Sequence, residues 1–441
     1  MSELKKFVFV GFDVDLAKGE ALFHYLIQLD KKTQDFTDKI LFPPLTAQIP
    51  EDLLKSLLNN LLLVLGMSYW KLYCPPIIEI KPFSLTKKQA EFWNIVYTKG
   101  LGEFYYKNKI DFRGLMNFPF DGEKEISPIN FPRESRSLVG IGGGKDSIVS
   151  GELLKKYDKN FDAFVVNEHM IRSDVIKILD ANSIIFMHEL DPNLLVLNKR
   201  EDVYNGHVPI SAYYAFLGLL AAVLYDYRFL IVSNEESANY GNVEYLGEVI
   251  NHQWSKSLEF ENLFRDYISS FISADLVYFS LLRPLKEIKI TEVFAKYPEY
   301  FNFFSSCNRN FRINNEEKNK WCGQCPKCLF VFTILSTFIS KEKLISIFGK
   351  NLFEDNNLLP LFKELLGISK IKPFECVGTP EEMQYALYLA SEKGEFKQSL
   401  LIKFFEKEIL SQINPMQLSK VMEIGSKENI PSEFENIFNE I

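Results

Sequence analysis

The chain has 441 residues, which is too long for one typical hydrophobic core and predicts two or three domains. Hydrophobic residues make up 47% and aromatic residues 14% of it, a composition that excludes disorder as the overall state. A formal net charge of −8 argues against a broad nucleic-acid-binding surface and favours a small or nucleotide-linked substrate.

The first 130 residues predict a separate α+β domain. Segments rich in aromatic and β-branched residues predict strands at 7–14, 21–29 and 36–42. Leucines at helical spacing after Pro50 predict a helix that ends near Gly66. Nothing in this domain looks catalytic, so we expect it to shape or cover a substrate cleft. A charged, proline-containing linker at 123–136 follows it.

Residues 131–335 alternate predicted strands and helices, which is typical of an α/β fold with a doubly wound parallel sheet. The strands are predicted at 138–141, 161–166, 184–187 and 229–233, with helices starting at Ser147, Ser173 and Pro209. Ligands of such sheets bind outside the carboxyl ends of the strands, where the turn at 167–169 and the segment 233–242 both fall.

The uncharged stretch 208–225 reaches the lower length limit of a membrane-spanning helix. Pro209, Gly218 and the position between two predicted strands indicate a buried helix instead. The N-terminus lacks an apolar signal core, and the clustered cysteines suit a reducing compartment. We therefore expect a cytoplasmic protein without a membrane partner.

Residues 336–441 predict a helical C-terminal region. Within it, Thr379 as N-cap, Pro380 at the first helical position and Glu382 at the third predict a capping box. That motif is expected to be structural.

A glycine-rich loop follows the first central strand and precedes a helix. Its glycines let backbone N–H groups converge at an electropositive helix N-terminus, which favours phosphate. A Walker loop would have Ser or Thr after the lysine, but here an aspartate follows it. An ordinary glycine-rich turn is the alternative from the loop alone. The loop residues are Gly142, Gly143, Gly144, Lys145, Asp146 and Ser147.

Four cysteines are spaced as ligands of one metal ion: Cys307, Cys322, Cys325 and Cys328. Zinc accepts four thiolates tetrahedrally, and tight Cys-x-x-Cys turns let backbone N–H groups stabilise the sulfur charge. Spacing alone does not separate zinc from an iron–sulfur cluster or from unligated thiols. Cys74 and Cys376 lie outside the cluster, and both burial and an acid/base role are open for each.

Polar side chains are concentrated between residues 233 and 261. If 252–261 is helical, His252, Lys256 and Glu259 share one face and supply a proton-transfer group, a cation and a carboxylate. A solvated helix with a salt-bridged face is the alternative. His207, in a loop, fits a structural role as well as substrate contact.

The glycine loop is similar to the Ser-Gly-Gly-x-Asp-Ser loop of ATP pyrophosphatases (PP-loop proteins), with Gly142 in place of the first serine. The likeness implies that the amides of Gly143 and Gly144 with Ser147 hold the leaving phosphates and that Asp146 helps to place Mg²⁺.

Five motifs together resemble one family, the ATP-dependent UDP-N-acetylmuramoyl-L-alanyl-L-glutamate epimerases of bacterial peptidoglycan synthesis, or MurL family. The motifs are the glycine loop, Gly-His-Val-Pro at 206–209, Ser-Ala-Asn-Tyr-Gly-Asn-Val-Glu at 237–244, Asn-His-Gln-Trp-Ser-Lys-Ser at 251–257 and Trp-Cys-Gly-Gln-Cys-Pro-Lys-Cys at 321–328. The likeness extends to 376–382 and is weakest over the first 130 residues.

The resemblance implies inversion of the terminal L-glutamate of the UDP-linked dipeptide, with ATP converted to AMP and pyrophosphate. It implies ATP, Mg²⁺ and structural Zn²⁺ as cofactors and His252, Lys256, Glu259 and His207, in that order, as candidate general bases. Two alternatives stay open at this point: a base-modifying ATP pyrophosphatase similar to 7-cyano-7-deazaguanine synthases, and a non-enzymatic nucleotide- and zinc-binding module.

Overall fold

The computed structural model describes residues 5–30, 32–45, 48–311, 320–369 and 371–441. Its strands are β1 (Lys6–Asp15), β2 (Glu20–Leu29), β3 (Lys32–Leu41), β4 (Ile77–Ile80), β5 (Ser137–Gly140), β6 (Phe161–Val166), β7 (Ser183–Glu189), β8 (Phe229–Val232), β9 (Val243–Tyr245), β10 (Glu248–Ile250) and β11 (Val277–Ser280).

The α-helices of the described residues are α1 (Glu51–Trp70), α2 (Lys87–Gly100), α3 (Gly102–Asn108), α4 (Lys145–Lys156), α5 (Met170–Leu179), α6 (Pro192–Leu197), α7 (Ile210–Leu224), α8 (Leu258–Phe271), α9 (Glu287–Phe294), α10 (Pro326–Phe338), α11 (Lys341–Phe348), α12 (Leu359–Leu365), α13 (Pro380–Lys393), α14 (Leu400–Glu408) and α15 (Pro415–Leu418). The C-terminal region is helical, as the sequence predicts.

A mixed nine-stranded sheet organises the fold, in the order β11-β8-β5-β6-β7-β3-β2-β1-β4. The five strands from β11 to β7 are mutually parallel and include the four predicted central strands. Their side chains alternate between two cores, so that Leu138 packs with α1 and α7 whereas Val139 packs with α4, α9 and α10. Helices therefore cover both faces of the parallel part, which buries it as parallel sheets require.

The N-terminal strands extend this sheet, whereas the sequence predicts a separate N-terminal domain. β3 pairs with β7 in antiparallel register, with Leu41 opposite Met187. The imidazole of His188 lies 2.9 Å from a carboxylate oxygen of the fully buried Asp38 at the same junction. Pairing β3 with β7 satisfies backbone groups that would otherwise stand at an open sheet edge. The domain boundaries after residues 130 and 335 stay predictions.

Helix α7 is the uncharged stretch that the sequence predicts to be buried. All but three of its fifteen residues are buried between the sheet and α1. Among the described residues, no helix combines the length and the apolarity that a membrane crossing needs.

Helix α13 begins with the predicted capping box. The Thr379 hydroxyl accepts a hydrogen bond from the Glu382 amide, and the Glu382 carboxylate accepts one from the Thr379 amide. The second carboxylate oxygen of Glu382 accepts the amide of Ile288 at 3.1 Å, which joins α13 to the start of α9. The cap therefore also fixes the C-terminal region against the central sheet.

Candidate active site

A cavity of about 340 Å³ opens at the carboxyl ends of β5, β6 and β8. Its apolar wall includes Phe164, Leu230 and Tyr214, and its polar wall is formed by the glycine loop, Lys256 and Cys376. The loop and the segment after β8 meet there, as expected for a parallel sheet. No residue of the turn at 167–169 lines the cavity, but Arg172, which follows this turn in α5, does.

At two positions of the glycine loop, neighbouring side chains leave too little room for a Cβ atom. Gly143 has a φ of +87°, and a Cβ atom there would lie 2.8 Å from the Ile171 side chain. A Cβ atom on Gly144 would lie 2.8 Å from the Ser306 hydroxyl. A Cβ at Gly142 would meet open space. The loop therefore leads α4 into the cavity with its first backbone N–H groups free of intrahelical partners.

Helix α4 begins at Lys145, two residues before the predicted start. The Lys145 ammonium is 1% exposed and pairs with both Asp146 and Glu287 instead of lining the cavity. Burial acts to lower the pKa of Lys145, but these two carboxylates raise it above its usual value. Ser147 lines the cavity, and its hydroxyl donates to the Gly144 carbonyl at 3.0 Å. The cofactor-binding roles of the six loop residues stay predictions.

Three carboxylates lie together beneath the loop: Asp146, Glu235 and Glu287 each place one oxygen within 4.8 Å of the others. Glu235 and Glu287 are fully buried, and both oxygens of Glu235 have no hydrogen-bond partner among the described atoms. Burial raises the pKa of Glu235. Glu287 is instead held in its charged form, because Lys145 and Lys327 lower its pKa against the effect of burial. A buried carboxylate without hydrogen-bond partners, such as Glu235, suits a cation.

A second polar cluster joins Cys376, His252, Glu103 and His207. His252 hydrogen-bonds through Nδ1 to the Glu103 carboxylate, and the Cys376 thiol is close enough to interact electrostatically with the same imidazole. The same Glu103 oxygen lies 3.3 Å from Nδ1 of His207, and the two imidazole rings are 4.5 Å apart. Four distant segments of the chain thus build one cluster.

The pKa values of the two histidines in this cluster are shifted in opposite directions. Burial acts to lower the pKa of His252, but its bonds to Cys376 and Glu103 raise it to about 9. Burial and the neighbouring His252 lower the pKa of His207 to about 3. Burial raises the pKa of Glu103, but the hydrogen bonds and charges of His252, His207 and Lys107 together lower it to about 2. At neutral pH the cluster therefore contains an imidazolium, a neutral imidazole and a carboxylate.

Residues 252–261 do not form the continuous helix on which the grouping of His252, Lys256 and Glu259 depended. A short 3-10 turn spans Trp254–Lys256, and α8 starts only at Leu258, because the Ser257 hydroxyl caps it by accepting the Phe260 amide at 3.2 Å. Glu259 is exposed and pairs with Lys99 at 2.5 Å, in a different surface groove. His252, Lys256 and Glu259 therefore do not share a helix face, and the expected grouping is wrong for Glu259.

The four clustered cysteines come together as predicted. The Sγ–Sγ distances are 4.0 Å for Cys307–Cys325, 3.6 Å for Cys322–Cys328 and 3.5 Å for Cys325–Cys328. Sulfurs at the corners of a tetrahedron about 2.3 Å from one ion lie roughly 3.8 Å apart. The Cys328 amide donates to the Cys325 sulfur at 3.4 Å, which stabilises negative charge there.

This cysteine cluster is physically connected to the cavity. Ser305, two residues before Cys307, donates its amide to the Gly143 carbonyl at 3.1 Å. Lys327, between Cys325 and Cys328, hydrogen-bonds the Cys376 carbonyl and lies 3.6 Å from Glu287. The cluster thus fixes both the glycine loop and the Cys376 segment.

Sequence reasoning missed several of these residues. Glu235 lies inside the polar run between residues 233 and 261, and Lys327 lies inside the motif at 321–328, so both carried a local signal. Glu103 and Glu287 carried none, whereas an acid/base role was left open for Cys376. Glu103 belongs to α3, in the N-terminal region where nothing catalytic was expected.

Comparisons with known proteins cover most of the chain. A family model described as the MurL N-terminal domain matches residues 1–281, and one described as the MurL C-terminal domain matches residues 303–420. Three curated relatives carry the name UDP-N-acetyl-alpha-D-muramoyl-L-alanyl-L-glutamate epimerase. The relative from Xanthomonas oryzae is 38% identical over 85% of this chain and 83% of its own length. Those from Micromonospora and Salinispora tropica are 35% and 34% identical, each over 91% of this chain and over 90% and 88% of their own lengths.

Proposed function

This chain belongs to the MurL family, and we propose that it is an ATP-dependent epimerase. Its substrate would be UDP-N-acetylmuramoyl-L-alanyl-L-glutamate, whose terminal L-glutamate it converts to D-glutamate while ATP yields AMP and pyrophosphate. The substrate class rests on the names of relatives that are more than one-third identical to this chain. The observation that carries the mechanism is the single cavity in which a phosphate-type loop faces Lys256 and Cys376.

Activation by ATP solves a definite chemical problem. Removing the α-proton next to a free carboxylate would build two negative charges on adjacent atoms. An acyl adenylate neutralises the carboxylate and lets the carbonyl oxygen accept the electron pair of the broken C–H bond. After the proton is returned to the opposite face, water cleaves the adenylate. Epimerisation alone is close to thermoneutral, so ATP supplies rate and direction.

The cavity suits a nucleoside triphosphate. Phosphates would lie against the glycine loop and the N-terminus of α4, with the Ser147 hydroxyl as a further donor. The apolar wall, with Phe164 and Leu230, offers a surface for the nucleobase. Arg172 reaches this wall, and its guanidinium lies 5.2 Å from the ring of Phe311.

The donor set beneath the loop fits Mg²⁺. Asp146 would hold the ion from the cavity side, with Glu235 and Glu287 behind it, because hard carboxylate oxygens are its preferred protein ligands. When bound, the ion neutralises charge on the phosphates. Lys145, paired to Asp146 and Glu287, balances part of the acidic charge.

Two side chains near the proposed reacting centre, His252 and Lys256, are positively charged at neutral pH. His252 carries its proton at neutral pH, and Lys256 does so as well, because Cys376 and Glu235 raise its pKa against the effect of burial. Both would therefore stabilise charge that develops on the acyl carbonyl or donate a proton, rather than remove one. His207 is neutral and would hold the Glu103–His252 pair in place.

The cysteine cluster would bind one structural Zn²⁺, since four sulfurs at these separations match its tetrahedral preference. Its role here would be to fix Ser305 against the glycine loop and Lys327 against Cys376. Detection of iron and acid-labile sulfide in the purified protein would instead assign an iron–sulfur cluster to these cysteines.

The decisive experiment supplies the protein with ATP, Mg²⁺ and the L-Ala-L-Glu nucleotide, and then determines the chirality of the glutamate after acid hydrolysis. We expect D-glutamate, AMP and pyrophosphate together, and none of them when ATP is omitted. In D₂O, deuterium should enter Cα only with ATP and Mg²⁺ present, because the free carboxylate leaves that proton too weakly acidic. Exchange without ATP would refute activation before proton loss. ATP turnover that ignores the dipeptide would favour the base-modifying class instead.

A further inference from the structure

Cys376 is placed as a reacting group rather than as a packing residue. It is half-buried, and it lines the same cavity as the glycine loop and Lys256. It does not belong to the group of four cysteines whose sulfurs lie within 4.8 Å of one another.

Hydrogen bonds fix this cysteine from several sides. Lys327 donates to its backbone carbonyl. The next residue, Val377, accepts the Gln253 side-chain amide at 3.2 Å, which places the His252 segment alongside. Asn242 links the same two segments, because it accepts the His252 amide at 2.7 Å and donates to the Pro373 carbonyl at 2.7 Å. The thiol and the imidazole of His252 are therefore held together by the backbone on both sides.

The chain of contacts Cys376–His252–Glu103 has the composition of an activated thiol. A thiol next to an imidazolium that is oriented by a carboxylate ionises readily. Burial alone raises the pKa of Cys376, but Lys256 and the His252 hydrogen bond lower it to about 6. Cys74, also half-buried, has lysines rather than a histidine among its charged neighbours, and burial raises its pKa to about 12.

The other candidates for the base are in the wrong protonation state or place. His252 and Lys256 hold their protons at neutral pH and cannot accept another. His207, with a pKa of about 3, is too weak a base. Glu259 lines a different groove. General bases work best when their pKa lies near the working pH. Among the described residues that line the cavity, the cysteine meets this condition.

We propose that the Cys376 thiolate is the base that removes the α-proton of the terminal glutamyl residue. The proposal rests on the proposed function. The Cα–H bond breaks, an S–H bond forms, and the electron pair moves into the carbonyl of the acyl adenylate as an enolate. The Lys256 ammonium then donates its proton to the opposite face of Cα, and the thiol proton returns to the Lys256 amine, which restores both charges.

The test compares Cys376→Ser with Cys74→Ser as the matched control, using protein whose zinc content and melting temperature are measured first. Acyl adenylate is trapped with hydroxylamine, and deuterium uptake at Cα is followed in D₂O. We expect Cys376→Ser to form hydroxamate and AMP within a few-fold of wild type while deuterium uptake falls about 10²-fold or more. Cys74→Ser should match wild type in both.

Wild-type deuterium uptake in Cys376→Ser overturns the proposal, and so does an equal loss of adenylation and exchange in a folded, metal-bound variant. Either result leaves the epimerase function standing, whereas a wild-type protein that neither consumes ATP nor inverts glutamate removes that function itself. A second measurement needs no variant. Iodoacetamide at pH 7 should modify Cys376 well before Cys74 in peptide mass maps, and equal rates would exclude the thiolate.

Discussion

The charge-neutralising role of Glu287 can be tested by Glu287→Gln, which keeps the shape of the side chain and removes its charge. Glu287 is fully buried and supports two lysines, with one oxygen paired to Lys145 and the other 3.6 Å from Lys327. Breaking a buried ion pair from one side costs about 3–5 kcal/mol, because the partner is left as an uncompensated buried charge.

The structure places the expected loss near the lower end of that range. Lys145 keeps Asp146 as a partner, and Lys327 keeps the Cys376 carbonyl. We therefore expect Glu287→Gln to lower the free energy of unfolding by about 3 kcal/mol. Glu292→Gln is the matched control, because it changes the same chemistry on the same helix at a partly exposed site paired with Lys289. It should change stability by about 0.5 kcal/mol or less.

The assay is urea unfolding of wild type and both variants, followed by circular dichroism at several pH values. The lowered pKa of Glu287 means that its stabilisation is complete above the pKa of an unfolded glutamate, 4.5, and is lost as the pH falls toward 2. The gap between wild type and Glu287→Gln should thus stay constant from pH 6 to 8 and narrow below about 4.5. Equal unfolding midpoints for Glu287→Gln and Glu292→Gln at pH 7 would refute the reasoning.

Three further outcomes are expected. Asp146→Asn and Ser147→Ala should each abolish AMP formation in a folded protein, and wild-type pyrophosphate release from either would remove the phosphate role of the loop. Metal analysis should find about one zinc per chain, and Cys325→Ser should lower the melting temperature more than Cys74→Ser, because a structural metal contributes its binding free energy to folding. In NMR titrations assigned with His252→Gln and His207→Gln, the His252 ring should titrate near pH 9 and the His207 ring near pH 3, and Glu103→Gln should lower the His252 value. Two rings titrating together near 6.5 would contradict the shared Glu103 contact.

The parts of the site that lie close together in the sequence were predictable. The six residues of the glycine loop are consecutive, and three of the four cysteines lie within seven residues. Their spacing alone therefore indicates that they lie close together in the fold. Cys307 could be grouped with them because zinc prefers four ligands and these three cysteines supply only three. Four of the five parallel strands were predictable from their apolar runs, whereas β11 was not predicted.

The cluster of Cys376, His252 and Glu103 could not be predicted in the same way. Its members come from segments more than one hundred residues apart, and tertiary packing alone brings them together. The error at 252–261 has a local cause. A run of polar residues allows helical spacing, but the Ser257 hydroxyl competes for the backbone amide of Phe260 and starts the helix later.

The pairing of β3 with β7 also constrains how the chain is made. The three N-terminal strands are complete by residue 41, yet the strand that covers their free edge ends at Glu189, about 150 residues later. At a synthesis rate of roughly 5–20 residues per second, that edge stays unpaired on the ribosome for on the order of ten seconds. During this interval Lys39 lies at the exposed edge, where a charge opposes pairing with other chains. We therefore expect nascent-chain aggregation to be governed by this edge, and replacement of Lys39 by an apolar residue to lower the soluble yield during rapid expression more than it lowers the stability of the finished protein.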